Sequence, residues 1–289
     1  MNVCICLISF NRPNYLKQTL EALAKNTVQL DTYLVQDGAV NKFSGRQCCL
    51  EDDIYKCVDH FYNFFPHGVS LASNQNVGMA LQYDRAEEWC FKFNNYEAVI
   101  FIEDDFVPGP QYIEILLEIY KKTKNIKEIG TITAYGPDRF MMKEEQVVNE
   151  FSLEIATPSW GYLLSRNRWK ERQPFYQSYL DLVKNVDYRE RPQEDIIRWL
   201  KGNRFNMECS SQDAAHSVAM VLAGQVKLGT STRNAYYIGR DGIHMDPIEF
   251  DNGYYGKDHM WKYNSLDFIV PSQEWLGEQL RTIRKAARV

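Results

Sequence analysis

No stretch of this chain approaches the ~18 consecutive apolar residues of a membrane-spanning helix, so the sequence does not predict one. An excess of positive charge is missing too. The formal net charge is -5, which argues against a nucleic-acid partner, because such surfaces cluster Lys and Arg against phosphates. The 7 cysteines contain no Cys-x-x-Cys pair. Cys48, Cys49 and Cys57, with His60 and His67 nearby, lack zinc-site spacing, since adjacent cysteines rarely ligate one ion together. Cys4 and Cys6 fall in an apolar strand and read as buried thiols. An odd cysteine count without a disulfide framework predicts a reduced, cytoplasmic protein. Met1-Asn2-Val3-Cys4-Ile5-Cys6 has no basic n-region and does not read as a signal peptide. Internal repeats and low-complexity tracts are absent as well. What remains is an ordinary soluble composition, 45% apolar and 25% charged over 289 residues, enough for one large α/β domain or two small ones.

The most informative stretch is Val99-Ile100-Phe101-Ile102-Glu103-Asp104-Asp105. A short apolar run bounded by turn residues reads as a strand buried on both faces. The acids cannot continue into that core, because burying an unpaired carboxylate is very costly. They therefore mark the strand's C-terminal end, where open α/β sheets place their ligands. Hard carboxylate oxygens there suit Mn2+ or Mg2+ bound together with a substrate diphosphate. A solvated acidic turn is the plain alternative.

The surrounding pattern alternates strand and helix. Strands are predicted at residues 1–7, 32–35, 69–72, 99–102 and 129–134. Helices are predicted from Pro13, from 79 to about 91, and from 110 to about 122. That order argues for a mostly parallel central sheet flanked by helices. The second half is less regular. It offers a strand entering a helix at 157–164, helices near 179–183, 196–200 and 213–223, and a loop from Gly239 to about Tyr263. Residues 273–289 read as a helix with Trp275, Leu276, Leu280 and Ile283 on one face. Its basic end suits a helix C-terminus or contact with a membrane surface.

Taken in order, these motifs resemble the GT-A glycosyltransferases, both the broad family 2 enzymes and, in the acidic motif, N-acetylglucosaminyltransferase I. The resemblance covers about Val3 to His244. It implies a single GT-A domain over 1–289, with a nucleotide-sugar-binding half (1–135), an acceptor-binding and catalytic half (136–270) and a C-terminal helix (271–289). Ser9, Asn11 and Arg12 would meet the nucleotide in the first-strand turn. Asp37 of Gln36-Asp37-Gly38 would face the base, and Asn76 and Gly78 would lie beside the donor. Glu103-Asp104-Asp105 would be the Asp-x-Asp-type motif, its last acid on the metal. Ser159-Trp160-Gly161-Tyr162 would line the acceptor side, with Trp160 stacking on a sugar face, and Asp213 would be the base of an inverting enzyme. His244, in Gly239-Arg240-Asp241-Gly242-Ile243-His244, would reach the metal or diphosphate as its loop closes. The departure is an insertion around Tyr176 to Arg204, so the acceptor, a glycan or glycolipid, is not carried over.

The implied reaction moves a sugar from a nucleotide-diphosphate sugar, a UDP-sugar by resemblance, to an acceptor hydroxyl. A divalent ion would neutralise the leaving diphosphate, and Asp213 would take the hydroxyl's proton. Each residue also has a plainer role. Asp213 can cap its helix, Asp37 can be a turn residue, and Arg12 can pair with an acid instead of a phosphate. Trp160 can fill the core, and His216 reads as structural. A sugar nucleotidyltransferase is the first alternative function, but Ile8-Ser9-Phe10-Asn11-Arg12-Pro13 has no glycine for a phosphate-gripping loop. A non-catalytic carbohydrate-binding or scaffolding domain is the second.

Overall fold

The structure is a computed structural model and describes residues 1–157, 160–241 and 245–287. Its centre is strand β1 (Val3–Ser9), in which all seven residues are buried. The chain leaves β1 through α1 (Pro13–Ala24), which starts on a proline and buries Leu16, Leu20 and Leu23 on one stripe. It returns as β2 (Asp31–Gln36), runs through α2 (Glu51–Phe64), and forms β3 (Val69–Ala72). Helix α3 (Met79–Glu88) continues into a π-helical turn at Trp89–Phe93. Strand β4 (Ala98–Glu103) then pairs on the other flank of β1.

A short strand β5 (Phe106–Pro108), helix α4 (Tyr112–Thr123) and strand β6 (Ile129–Thr133) follow. The second half contributes α5 (Lys143–Val148), β7 (Leu153–Ile155), β8 (Gly161–Ser165), the long α6 (Arg166–Val183), α7 (Gln193–Gly202) and α8 (Gln212–Leu222). Strands β9 (Val226–Thr230) and β10 (Ala235–Tyr237) and helices α9 (Pro247–Asn252) and α10 (Gln273–Ala286) complete it.

One sheet joins both halves in the order β3-β2-β1-β4-β8-β6-β9-β7. The pairs β1–β2, β2–β3, β1–β4 and β6–β9 are parallel; β8 runs antiparallel to β4 and β6, and β7 to β9. The expected mostly parallel sheet is thus present, with antiparallel β8 inserted between β4 and β6. Strand order reverses at β1, and ligands of open α/β sheets sit outside the strand C-termini at such a point. Ile8 of β1 faces Glu103 of β4 in register, which brings the first-strand turn and the acids together. A separate two-stranded sheet pairs β5 with β10, and the amide of Ile238 donates to Asp105 O at 2.9 Å. The chain beyond β10 is thereby held over the acids.

The short elements α5, β5, β7, β9 and β10 were not predicted, and two larger regions also differ from expectation. The stretch from Gly239 to Tyr263 carries α9, where Asp246 caps the helix by accepting from the amides of Ile248 and Glu249. Helix α2 went unread because it buries only Cys57 and Phe61, a stripe too narrow for a periodicity signal. Helix α10 packs Leu276 and Leu280 inward, and Arg284 donates to Val221 O at 2.7 Å, at the C-terminus of α8. Arg281 and Lys285 remain exposed. No helix among the described residues is long and apolar enough to cross a membrane.

Candidate active site

Asp104 and Asp105 sit at the turn after β4, both almost wholly buried. Neither is left unpaired. Arg12, at the start of α1, donates from Nη1 to Asp105 Oδ2 at 2.6 Å and from Nη2 to Asp104. The turn is pinned further by Thr19, whose hydroxyl donates to Asp104 O at 2.8 Å. Of the two sequence readings for Arg12, the structure displays the pairing with acids. Burial pushes the Asp105 carboxyl up, to about 6, against the pull of the guanidinium. Asp105 Oδ1 and Ser9 Oγ are buried without hydrogen-bond partners, an arrangement that native interiors rarely tolerate without a reason. Asn11 lies half-buried in the same turn.

Glu103, the last residue of β4, is fixed from two sides. Its amide donates to Trp160 O at 3.0 Å, and its Oε1 accepts from the Tyr83 hydroxyl at 2.8 Å. Its carboxyl is held well above the usual range, first by burial and then by the charge of Asp213. Asp213 stands in the first turn of α8 and is exposed. The helix cap is Ser211, whose Oγ accepts from the Ala214 amide at 3.2 Å. The capping role available to Asp213 in the sequence therefore falls to Ser211.

Behind this pair, Glu87 of α3 and Arg172 of α6 form a fully buried ion pair at 2.6 Å. The His216 ring packs against Tyr83 and Tyr176 there, with its pKa pushed far down by burial. It is structural, as its helical position suggested. This polar knot ties α3, α6 and α8 to the strand that carries Glu103.

On the β2 side, Asp37 is a clamp. Its Oδ1 accepts from the amides of Gly38 and Val77 at 2.9 Å each. Its Oδ2 accepts from Asn76 Nδ2 at 2.8 Å and from the Gly78 amide at 3.0 Å. Burial pushes its carboxyl up to about 6 while those backbone N–H groups pull it down. The three sequence-predicted residues Asp37, Asn76 and Gly78 thus meet, and they hold one another. Asp37→Asn replaces an acceptor oxygen with an NH2 facing donors. It should cost about 2 kcal/mol at neutral pH, read from urea unfolding of the two proteins.

Trp160 lies beside the acids, its carbonyl accepting from the Glu103 amide at 3.0 Å. Its ring stacks on Tyr237 with centroids 4.3 Å apart and meets Tyr135 edge-on at 5.1 Å. One face of the indole is therefore covered by protein. Tyr237 itself lies beside Asp105, with its phenol pKa raised by burial and then by that charge. Tyr83, Tyr237 and Ser211 were not foreseen, since nothing in their local sequence separates them from core or loop residues. His244 falls outside the described residues. Among the described residues no group of three or more His, Cys, Asp or Glu is placed to hold a metal ion.

No family model and no curated protein matches the chain. Among solved structures it is similar to S. aureus TarS. The TarS 1-349 structure gives a TM-score of 0.45 at 14% identity, covering 83% of this chain and 61% of that one. The TarS 1-349 complex with UDP-GlcNAc gives 0.46 at 14% identity, covering 85% and 60%. A longer TarS structure gives 0.41 at 15% identity, covering 60% of this chain and 30% of that one. The chain therefore spans about three fifths of the 1-349 structures and less than a third of the longer one.

Proposed function

We propose that this chain is a glycosyltransferase that moves a sugar from a nucleotide-diphosphate sugar, with UDP as nucleotide, to a hydroxyl of a glycan or glycolipid. The observation that carries the proposal is the buried Arg12–Asp104–Asp105 cluster, with Asp105 Oδ1 unpartnered, at the C-terminal end of β4 beside the sheet's strand-order reversal. An anionic leaving group needs positive charge, which a divalent ion on Asp105 would supply, and an attacking hydroxyl needs a base, which Asp213 would supply.

Asp213 takes the proton of the acceptor hydroxyl as its oxygen bonds to the anomeric carbon. The bond from that carbon to the diphosphate oxygen breaks, and its electron pair leaves with the nucleotide. A base opposite the leaving group gives inversion. Arg12, paired with Asp104 and Asp105, holds the two acids in place at the strand end. Asp37 keeps Asn76–Gly78 in shape on the nucleotide side. Mn2+ or Mg2+ fits through Asp105, whose Oδ1 is a hard oxygen without a partner; such ions are commonly held by one or two carboxylates plus substrate phosphates. When bound, the ion supplies Lewis-acid neutralisation of the diphosphate. Exposed Arg281 and Lys285 on α10 suit an anionic membrane surface, if the acceptor is a glycolipid.

The test is a thermal shift with UDP, GDP, dTDP and CMP, each with Mn2+ and with EDTA. A ligand at ~100 times its dissociation constant stabilises a protein by about 2.7 kcal/mol. The expected result is stabilisation by UDP that EDTA removes and that Asp105→Ala loses. No shift with any nucleotide, repeated by calorimetry at high concentration, would leave a binding or scaffolding role instead. Released free nucleotide, rather than pyrophosphate, then separates transfer from nucleotidyl chemistry.

A further inference from the structure

Asp187–Arg191 lies in the insertion that the sequence sets apart, and the chemistry above does not use it. Its middle, Tyr188–Glu190, is one turn of 3-10 helix. Asp187, 4% exposed, accepts from the Ser44 hydroxyl at 2.6 Å and pairs with Arg46. Ser44 and Arg46 belong to the loop that Asn41 ties to Asn76 through a 3.2 Å side-chain bond. From Asn76 the connection runs to Asp37.

The other end of the segment reaches α8. Tyr188 Oη accepts from the Gln212 amide at 2.9 Å, one of the first-turn N–H groups a helix leaves without an internal partner. Arg191 stacks its guanidinium over the Tyr188 ring at 4.5 Å and donates from Nε to Ser210 O at 2.9 Å. Tyr188 also seats on Gly78. A Cβ at Gly78 would lie 2.5 Å from Tyr188 Cβ, and Gly78 has φ +82°. Space and backbone both require glycine there.

We propose that Asp187–Arg191 is a strap that sets the α8 N-terminus against the Asp37–Gly78 clamp, with Tyr188 a positioning residue for Asp213. The inference rests on Asp213 being the base. It makes the nucleotide side and the base side one mechanical unit, joined by residues far apart in sequence.

Hydrogen–deuterium exchange on the whole chain tests this for wild type, Tyr188→Phe, Arg46→Met and Arg46→Lys. The amides of the first turns of α8 should exchange at least about tenfold faster in Tyr188→Phe, as local opening becomes easier. They should also exchange faster in Arg46→Met, although Arg46 sits at the strap's other end. Arg46→Lys, which keeps a cation for Asp187, should restore most of the protection, and peptides from β1 and β4 should be unchanged throughout. Wild-type exchange at α8 in Arg46→Met would overturn the proposal. Faster exchange everywhere would overturn it too, since that is general loosening. No substrate enters this measurement, so its failure is separable from failure of the base assignment, which turnover of Asp213→Asn decides.

Discussion

Arg12→Met should destabilise the protein by about 3 kcal/mol near neutral pH, because removing one partner of a buried pair strands the other's charge. Here two carboxylates are stranded. Asp104 and Asp105 have side chains only 3% exposed, and both oxygens that face Arg12 lose their donor. The cost should depend on pH in a defined direction. Burial already holds the Asp105 carboxyl at about 6 with the guanidinium in place; without that attraction it moves higher. A carboxyl whose folded pKa lies above its unfolded value of about 3.9 binds its proton more tightly when folded. Its stabilising contribution is complete below the unfolded value and is lost as pH rises through the folded one. The gap between wild type and Arg12→Met should therefore be small near pH ~4.5 and should widen as pH rises past ~6 toward ~8. Urea unfolding of both proteins across that window measures it. A gap that is constant with pH would mean that the cost is lost packing of the Arg12 side chain and not the loss of its charge beside the acids.

This same cluster shows what local sequence conveys and what it does not. Val99 to Ile102 announced β4 because an unbroken apolar run has few other places to go, and the acids after it had to mark its end. That logic fixed Glu103, Asp104 and Asp105 at the strand terminus, where they are found. It could not choose the partner of Arg12, because the choice depends on α1 meeting the β4 turn across the sheet. Asp37 and Gly78 were each singled out for a turn-like signature, yet their mutual bonds are tertiary. The antiparallel insertion of β8 is likewise set by topology, since Gly161–Ser165 reads as a strand in either direction. Short strands such as β9, with Lys227 and Gly229 in five residues, carry too little pattern to be seen alone. The strap was visible only as a departure from the family resemblance. What gives it meaning is Tyr188 touching Gly78 and Gln212 at once.

Asp213→Asn should slow sugar transfer by about 10²–10⁴, the usual worth of a general base, while leaving nucleotide affinity within about twofold. The substitution keeps the side chain's shape and removes its basicity. It should also leave α8 intact, since Ser211 holds the cap and a first-turn carboxylate contributes only about 0.3–1 kcal/mol through the helix dipole. The two readouts divide the site. In the proposed reaction, nucleotide binding rests on Asp105 and on the Asp37 clamp, neither of which Asp213→Asn changes. Proton removal, in the same proposal, falls to Asp213 alone. Calorimetry with UDP and Mn2+, beside nucleotide release during transfer, therefore distinguishes a base from a structural acid. A parallel fall in affinity and rate would make Asp213 part of the donor site. Near-normal turnover with normal affinity would remove it as the base. Glu103 would then be the remaining carboxylate to test; burial and the charge of Asp213 hold its carboxyl protonated to higher pH than an ordinary glutamate, against the pull of the bond from Tyr83.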